Sequence, residues 1–324
     1  MIPTDEIYQK WYSLLAKKEQ GNQYHSEALY SDNIVELINI ADHPVIFVKK
    51  DIGTPIESLY SEMLEIDFHR RLRLIEDSLE YIGVSITFKK NDIESVKAFL
   101  GTIWLLLGNG GVYNQSINLQ ETLRDFVLIM GRRSQDIRDA IGLWGELFII
   151  HIQPDSQIAR FSSSWRSNPR NKFDFSFDNS DLEVKTTLKP ERIHHLSQTQ
   201  LRPSGDRKLT FASILLREQE NGMSLFDLIT HVAPLLSKEK SHEALADIIN
   251  SASSNPNLLK KFSEAYARDN LKYIIASRIP RPIIREQDQG FVSGVEFTTN
   301  LTQLVLDPKN IEMNPSGGGD VILE

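Results

Sequence analysis

The sequence predicts a mixed α+β/α/β protein, and three observations carry that prediction. Phe173, Phe175 and Phe177 alternate with polar residues, and Leu182 to Thr186 alternates again after the turn formers Asp178-Asn179-Ser180-Asp181, which is the pattern of a β-hairpin. Upstream, Ile141, Trp144, Leu147 and Phe148 recur at helical spacing, and from Leu225 to Tyr266 apolar residues do so again. At 324 residues the chain exceeds the usual single-domain size. The expected organisation is an N-terminal α+β unit over 1–118, a core over 119–220 built on the hairpin, and a helical C-terminal region over 221–324 with closing strands and a flexible tail.

Taken in order, Ile7, Tyr8, Trp11, Leu14 and Leu15 predict a helix over Glu6–Leu15. Val45 to Val48 is strand-like, Leu72 to Ile75 fits a strand or a turn of helix, and Ile82 to Phe88 alternates as a strand. Asn91 is placed to cap a helix, with Glu94 at the capping-box position; that helix runs to about Leu107, where Gly108-Asn109-Gly110-Gly111 ends it. Another helix spans Leu119–Met130. Ser134 caps the next, whose stripe is Ile137, Ile141, Trp144, Leu147 and Phe148, with Glu146 off the stripe. Ser162 to Asn171 is a polar, basic, proline-containing loop leading into the hairpin. Leu209 to Leu216 reads as a core strand. Helical pattern follows at Leu225, Leu228, Ile229 and Val232, then at Leu245, Ile248 and Ile249 after Ser241, and over Leu258–Tyr266 beyond a loop at Ser251–Asn257. Tyr273–Ala276 and Phe291–Leu301 are strands separated by Pro280 and Pro282, and Asn314 to Gly319 is a flexible tail.

Hydrophobic content of 40% and charged content of 25% describe an ordinary globular protein. The absence of cysteine excludes disulfides and thiolate metal sites and fits a reducing compartment. Met1-Ile2-Pro3-Thr4-Asp5-Glu6 has no basic or apolar signal region, and the longest apolar run, Ile103 to Leu107, is too short to span a bilayer. A cytoplasmic protein with no membrane partner is therefore expected. Net charge is −8, which argues against a general polyanion binder, but it is unevenly spread. From Arg160 to Arg217 eleven Lys and Arg stand against six Asp and Glu, a local balance of +5, so the rest of the chain carries −13. That concentrates positive charge around the hairpin, where phosphates would meet it. No phosphate loop, dinucleotide fingerprint, helix-turn-helix or zinc-finger pattern is present.

The hairpin also carries the chemistry. Asp174 falls on the face opposite the three phenylalanines, while Glu183 and Lys185, two apart, share a face of the next strand. If the pairing lets those faces coincide, two carboxylates and one ammonium converge. Two acceptor oxygens suit a hard cation such as Mg²⁺, with Mn²⁺ able to substitute, and a lysine beside them can position and polarise an attacking water. That set suits hydrolysis of a phosphodiester. Singly, each residue has an ordinary use: a strand-edge aspartate, or a surface Glu–Lys pair worth under about 1 kcal/mol.

Asp174, a short turn, then Glu183-Val184-Lys185 resembles the core signature of the PD-(D/E)XK nuclease superfamily. Gly142-Leu143-Trp144-Gly145-Glu146-Leu147 resembles the helix motif supplying its upstream glutamate. His195-Leu196-Ser197 with Gln200-Leu201, and Ile279-Pro280-Arg281 ahead of Val295 to Leu301, resemble a bacterial subfamily described as PD-(D/E)XK motif proteins. The matches run in order from about residue 70 to 305; one departure is Phe173 where the motif has proline.

The resemblance implies a restriction-endonuclease-like core, a mixed central sheet flanked by helices, and a Mg²⁺-dependent DNA endonuclease of bacterial restriction or phage defence. Asp174 and Glu183 would hold the metal, and Lys185 would orient the water. Glu146 would ligate a second metal or anchor the metal's water. Arg166, Arg170 and Lys172 are candidate phosphate contacts in the basic loop. His194 and His195 point to opposite faces of a strand, so they do not ligate one ion together; His195, with Ser197 and Gln200, would support the site or touch DNA. Expected partners are DNA and other defence-system proteins, and a homodimer is one arrangement that supplies the two sites of double-strand cleavage. Two rivals stand beside this. One is a silent nuclease fold serving as a DNA-binding or scaffold subunit; the other is a nuclease acting on RNA or modified DNA.

Overall fold

Residues 4–17, 19, 21–53, 57–108, 113–133, 140–167, 172–203, 205–252, 257–284 and 291–306 are described by the computed structural model of the chain. In chain order the elements are α1 (Thr4–Leu15), β1 (Gln23–Tyr24), β2 (Ser26–Ala28), β3 (Val35–Ile40), β4 (His43–Val48), β5 (Leu59–Tyr60), β6 (Leu64–Leu74), β7 (Glu80–Phe88), α2 (Ile93–Leu107), α3 (Leu119–Arg133), α4 (Ala140–His151) and α5 (Asp155–Ser164). Then come β8 (Phe175–Ser176), β9 (Ser180–Thr187), β10 (Ile193–Ser197), β11 (Lys208–Leu215), β12 (Glu218–Ser224), α6 (Leu225–Val232), α7 (Lys238–Ser251), β13 (Lys261–Phe262), α8 (Glu264–Asp269), β14 (Leu271–Ile275) and β15 (Glu296–Asn300).

The elements form a mixed α+β protein of two units, Met1–Asp139 with Lys238–Leu259, and Ala140–Ser237 with Lys260–Glu324. The boundaries expected near 118 and 220 therefore move. Helix α7 packs on α2 and α3 and buries Ala244, Leu245, Ile248 and Ile249, so α3 and α7 both belong to the first unit. An apolar helical stripe names a buried face but not the element that covers it.

The first unit carries a seven-stranded sheet in the order β1-β6-β7-β4-β3-β2, with β5 beside β6. Its strands alternate as half-buried strands do: Leu64, Ile66 and Phe68 are buried, while Glu65 and Asp67 between them are partly exposed. Phe88 stacks on Phe99 of α2, ring centroids 4.7 Å apart. The α2 N-cap is Asp92, whose carboxylate accepts the Ser95 N–H at 2.9 Å, rather than the Asn91 expected one position earlier.

The second unit is built on a mixed four-stranded sheet in the order β14-β11-β9-β8. Strand β9 runs parallel to β11 with Glu183 opposite Phe211, β11 is antiparallel to β14, and β8 is antiparallel to β9. The expected hairpin forms, fastened by Arg207, whose guanidinium lies 2.7 Å from Asp181 and donates to the carbonyls of Phe177, Asp178 and Ser180. Its first strand is shorter than the alternation implied. Phe175 and Phe177 pack on Phe161 of α5, at 5.9 and 5.0 Å between centroids, whereas Phe173 joins a separate cluster with Leu196, Leu201, Phe211 and Ile274. The chain bends at Asp174, between the two cores.

Helix α4 is apolar all round, with Leu143, Trp144, Leu147, Phe148, Ile149 and Ile150 buried. It lies on β9 at Gly145, where an added Cβ would stand 2.2 Å from Thr186 Cγ2 and 3.3 Å from Val184 Cγ1. Trp144 stacks on Phe148 and donates its Nε1–H to the Met223 carbonyl at 3.0 Å, tying α4 to β12. Helix α6 opens with a full capping box between Ser224 and Asp227. The helix expected over Leu258–Tyr266 is instead β13 followed by α8, because Ser263 caps the chain into a helix only there. Ser134 and Ile137, and the tail from Asn314, lie outside the described residues. None of the described helices is long and apolar enough to cross a membrane.

Candidate active site

The pairing of β8 with β9 sets Phe175 opposite Leu182, so one step on, Asp174 faces Glu183. Asp174 Oδ2 accepts the Val184 backbone N–H at 2.8 Å, which pins its carboxylate to β9. On the same face of β9, Lys185 Nζ lies 2.8 Å from Glu183 Oε1. The charges of Glu183 and Lys185 both act on Asp174.

Glu146 arrives from the other side of the strand. Gly145 lets α4 lie on Val184 and Thr186, and Glu146 is the next residue of that helix. It is buried, and its Oε2 takes the Trp165 Nε1–H at 2.9 Å and the Arg166 guanidinium at 3.0 Å (Nη2) and 3.1 Å (Nε). Arg166 adopts a left-handed backbone with φ of 44°, donates its N–H to the Asp174 carbonyl at 2.9 Å, and lays its guanidinium over the Trp165 ring at 4.4 Å. Trp165 carries a role the sequence did not announce, although an isolated tryptophan in the polar run Ser162-Ser163-Ser164-Trp165-Arg166-Ser167 was its visible sign.

The electrostatics follow. Removal from water, then the negative charges of Glu183 and Glu146, hold the Asp174 carboxyl well above the usual carboxylate range. Glu183 is also raised, chiefly by burial; the Lys185 ammonium works against the rise and Glu146 adds to it. An acidic pair in that state is relieved by a cation. Its donors are all oxygens, which suits a hard divalent ion. Among the described residues no group of three or more His, Cys, Asp or Glu is arranged to hold a metal. The oxygens of Asp174 and Glu183 are of the kind a hard ion such as Mg²⁺ takes. Glu146 is engaged by Trp165 and Arg166 instead.

The other expected contacts are distributed unevenly. Gln200 Nε2 donates to Glu183 Oε1 at 2.9 Å, so this residue is part of the site. Ser197 lies one turn away, its Oγ 2.9 Å from Thr199 Oγ1. Lys172 is exposed and donates to the Arg202 carbonyl at 2.8 Å. His195 is exposed on β10, 3.2 Å from Glu296 of β15. His194 points the other way, buried against Ser213 Oγ at 2.8 Å, as adjacent residues of a strand must. Arg170 lies outside the described residues.

Residues 112–298 match the model of the family described as "Putative PD-(D/E)XK family member, (DUF4420)", a span of more than half the chain that contains every candidate site residue. No curated protein and no solved structure gives a match.

Proposed function

The chain belongs to this PD-(D/E)XK family, whose members are typically nucleases, and on that premise we propose that it is a metal-dependent endonuclease that hydrolyses DNA phosphodiesters. The observation that carries the proposal is the pair of contacts on β9: Asp174 Oδ2 accepts the Val184 N–H at 2.8 Å, and Lys185 Nζ lies 2.8 Å from Glu183 Oε1. The mixed four-stranded sheet with α4 against it supports a restriction-endonuclease-like core.

Asp174 and Glu183 would hold Mg²⁺, or Mn²⁺ in its place, and such an ion would supply Lewis acidity at a phosphoryl oxygen and at the leaving group. Lys185 keeps its charge, donates one N–H of its ammonium to Glu183 Oε1, and uses its remaining N–H donors to orient water for in-line attack. Water oxygen bonds to phosphorus and gives up one proton to solvent, the P–O bond to the leaving sugar oxygen breaks, and that oxygen takes a proton from solvent. Glu146 holds Arg166 and Trp165 behind Asp174. It therefore acts as an anchor in this account, not as a second metal's ligand. The local charge of +5 over 160–217 supplies phosphate attraction, with Lys172 at its exposed edge. Restriction or phage defence, with companion defence proteins and pairing of two copies for double-strand cuts, is the setting we propose.

One observation favours a second reading. Glu146 is engaged by Arg166 and Trp165, as in a silent scaffold subunit that only binds DNA. A matched panel of duplex DNA, single-stranded DNA and RNA with Mg²⁺ or Mn²⁺ separates the cases. DNA products support the proposal, RNA products alone replace its substrate, and binding without products in every metal condition favours the scaffold.

A further inference from the structure

We propose that Gln200 is a positioning residue for Glu183, a neutral clamp that fixes the carboxylate for a divalent cation while leaving its charge intact. This rests on the metal-dependent reading of the site. Gln200 Nε2 donates to Glu183 Oε1 at 2.9 Å. The amide is not free to turn round, because its own Oε1 accepts the Ser197 backbone N–H at 2.9 Å, a bond that only the oxygen end can make.

The clamp is held from behind at several points. The Gln200 N–H reaches the Ser197 carbonyl at 3.0 Å and Ser197 Oγ at 3.2 Å. Leu201 is 2% exposed, buried with Phe173, Leu196 and Phe211. Lys172 fastens the next residue through the Arg202 carbonyl at 2.8 Å. Ser197 in turn ends a strand paired with β15, and Gln198 donates to the Val295 carbonyl at 2.8 Å. The turn that presents Gln200 is thus tied to the strands on both sides, and the side chain it presents meets a buried carboxylate.

The chemistry of that donor is what assigns the role. Glu183 Oε1 already receives the Lys185 ammonium at 2.8 Å. A second cation there would neutralise the charge that a metal needs, and a carboxylate would crowd a further acid onto Asp174 and Glu183. An amide supplies direction without charge. Such outer partners of metal ligands typically govern metal affinity by roughly 10- to 100-fold.

The test is Mn²⁺ binding to the full chain by calorimetry, in wild type, Gln200→Met and Gln200→Lys. Methionine keeps the length and packing but has no amide; lysine keeps a donor but adds charge. Both variants are expected to raise the Mn²⁺ Kd by roughly 10-fold or more. The metal-free unfolding midpoint should fall slightly in both variants, because the Ser197 N–H loses its acceptor, and DNA cleavage should lose kcat while KM for DNA is unchanged. An unchanged Kd in Gln200→Met overturns the clamp, and a wild-type Kd in Gln200→Lys overturns its neutrality. A lowered midpoint with unchanged Kd makes Gln200 merely structural. No Mn²⁺ binding by wild type, with or without DNA, overturns both the clamp and the metal-dependent reading beneath it.

Discussion

One methyl group at Gly145 probes the contact that brings Glu146 to the site. In Gly145→Ala the new Cβ would stand 2.2 Å from Thr186 Cγ2, 3.3 Å from Val184 Cγ1 and 3.5 Å from Ile214 Cδ1. Carbon atoms rest about 3.5–4.0 Å apart, so more than 1 Å of overlap with Thr186 must be relieved. Either α4 lifts off β9, or Thr186 turns and gives up the bond its hydroxyl donates to the Ile141 carbonyl at 2.8 Å. Overpacking of this kind costs about 1–3 kcal/mol and the lost hydrogen bond about 1 kcal/mol. Alanine returns about 0.5–1 kcal/mol of helix propensity. The net expectation is a loss of about 1–3 kcal/mol. Three residues earlier, a Cβ at Gly142 meets no atom within 4 Å, so Gly142→Ala makes the same chemical change with only the propensity term and should gain about 0.5–1 kcal/mol. Urea unfolding followed by far-ultraviolet circular dichroism reads both. Cleavage should fall in Gly145→Ala, because Glu146 moves off Trp165 and Arg166, and should hold in Gly142→Ala. A Gly145→Ala protein as stable as wild type, or two variants shifted in the same direction, would refute the close approach of α4 to β9.

Two other predictions concern charge. His194 is buried, and desolvation, then Lys185 and Arg192, pull its imidazole down to about 4. The unfolded chain binds its proton near 6.5 and the folded protein only near 4, so its contribution is present above 6.5 and is lost as pH falls through that window. Between pH 7 and pH 5 wild type should lose about 2 kcal/mol relative to His194→Gln, which does not titrate; parallel pH profiles would contradict this. Asp174 has the opposite sign, because its raised carboxyl makes the metal-free protein less stable as pH rises through the carboxylate range. Asp174→Asn keeps the acceptor for Val184 and removes the charge. At pH 7 without metal it should therefore be more stable than wild type by roughly 1 kcal/mol, and Mn²⁺ should no longer raise its unfolding midpoint.

Much of the site was legible because strand geometry is short-ranged. Once Asp178 to Asp181 is read as a turn, the period of two narrows which of Asp174, Glu183 and Lys185 can meet, and β8 and β9 do pair as a hairpin. The same rule sent His194 inward and His195 outward. What was not legible is long-ranged. Nothing local to Leu119–Met130 or Ser241 to Ile249 tells that α3 and α7 close on the first unit. Glu146 lies off the apolar stripe, so its spacing alone does not show that it is buried; it is, because nearly every residue of α4 is. The partner of Arg166 was unforeseen for a similar reason. A basic loop looks ready for phosphate until Trp165 and Glu146, 20 residues upstream of Arg166, take its guanidinium. Strands β1, β2 and β5 are too short to leave a pattern.

The measurement that bears most directly on the account is cleavage of supercoiled plasmid with Mg²⁺ or Mn²⁺, comparing wild type with Asp174→Ala and Lys185→Ala. Nicked or linear products are expected from wild type only when metal is added, and none from either variant although both bind DNA. Cleavage that survives the loss of Asp174 or Lys185 would contradict the placement of the centre on this hairpin. A wild-type protein that binds DNA and metal, yet leaves every plasmid intact, would contradict the hydrolysis itself.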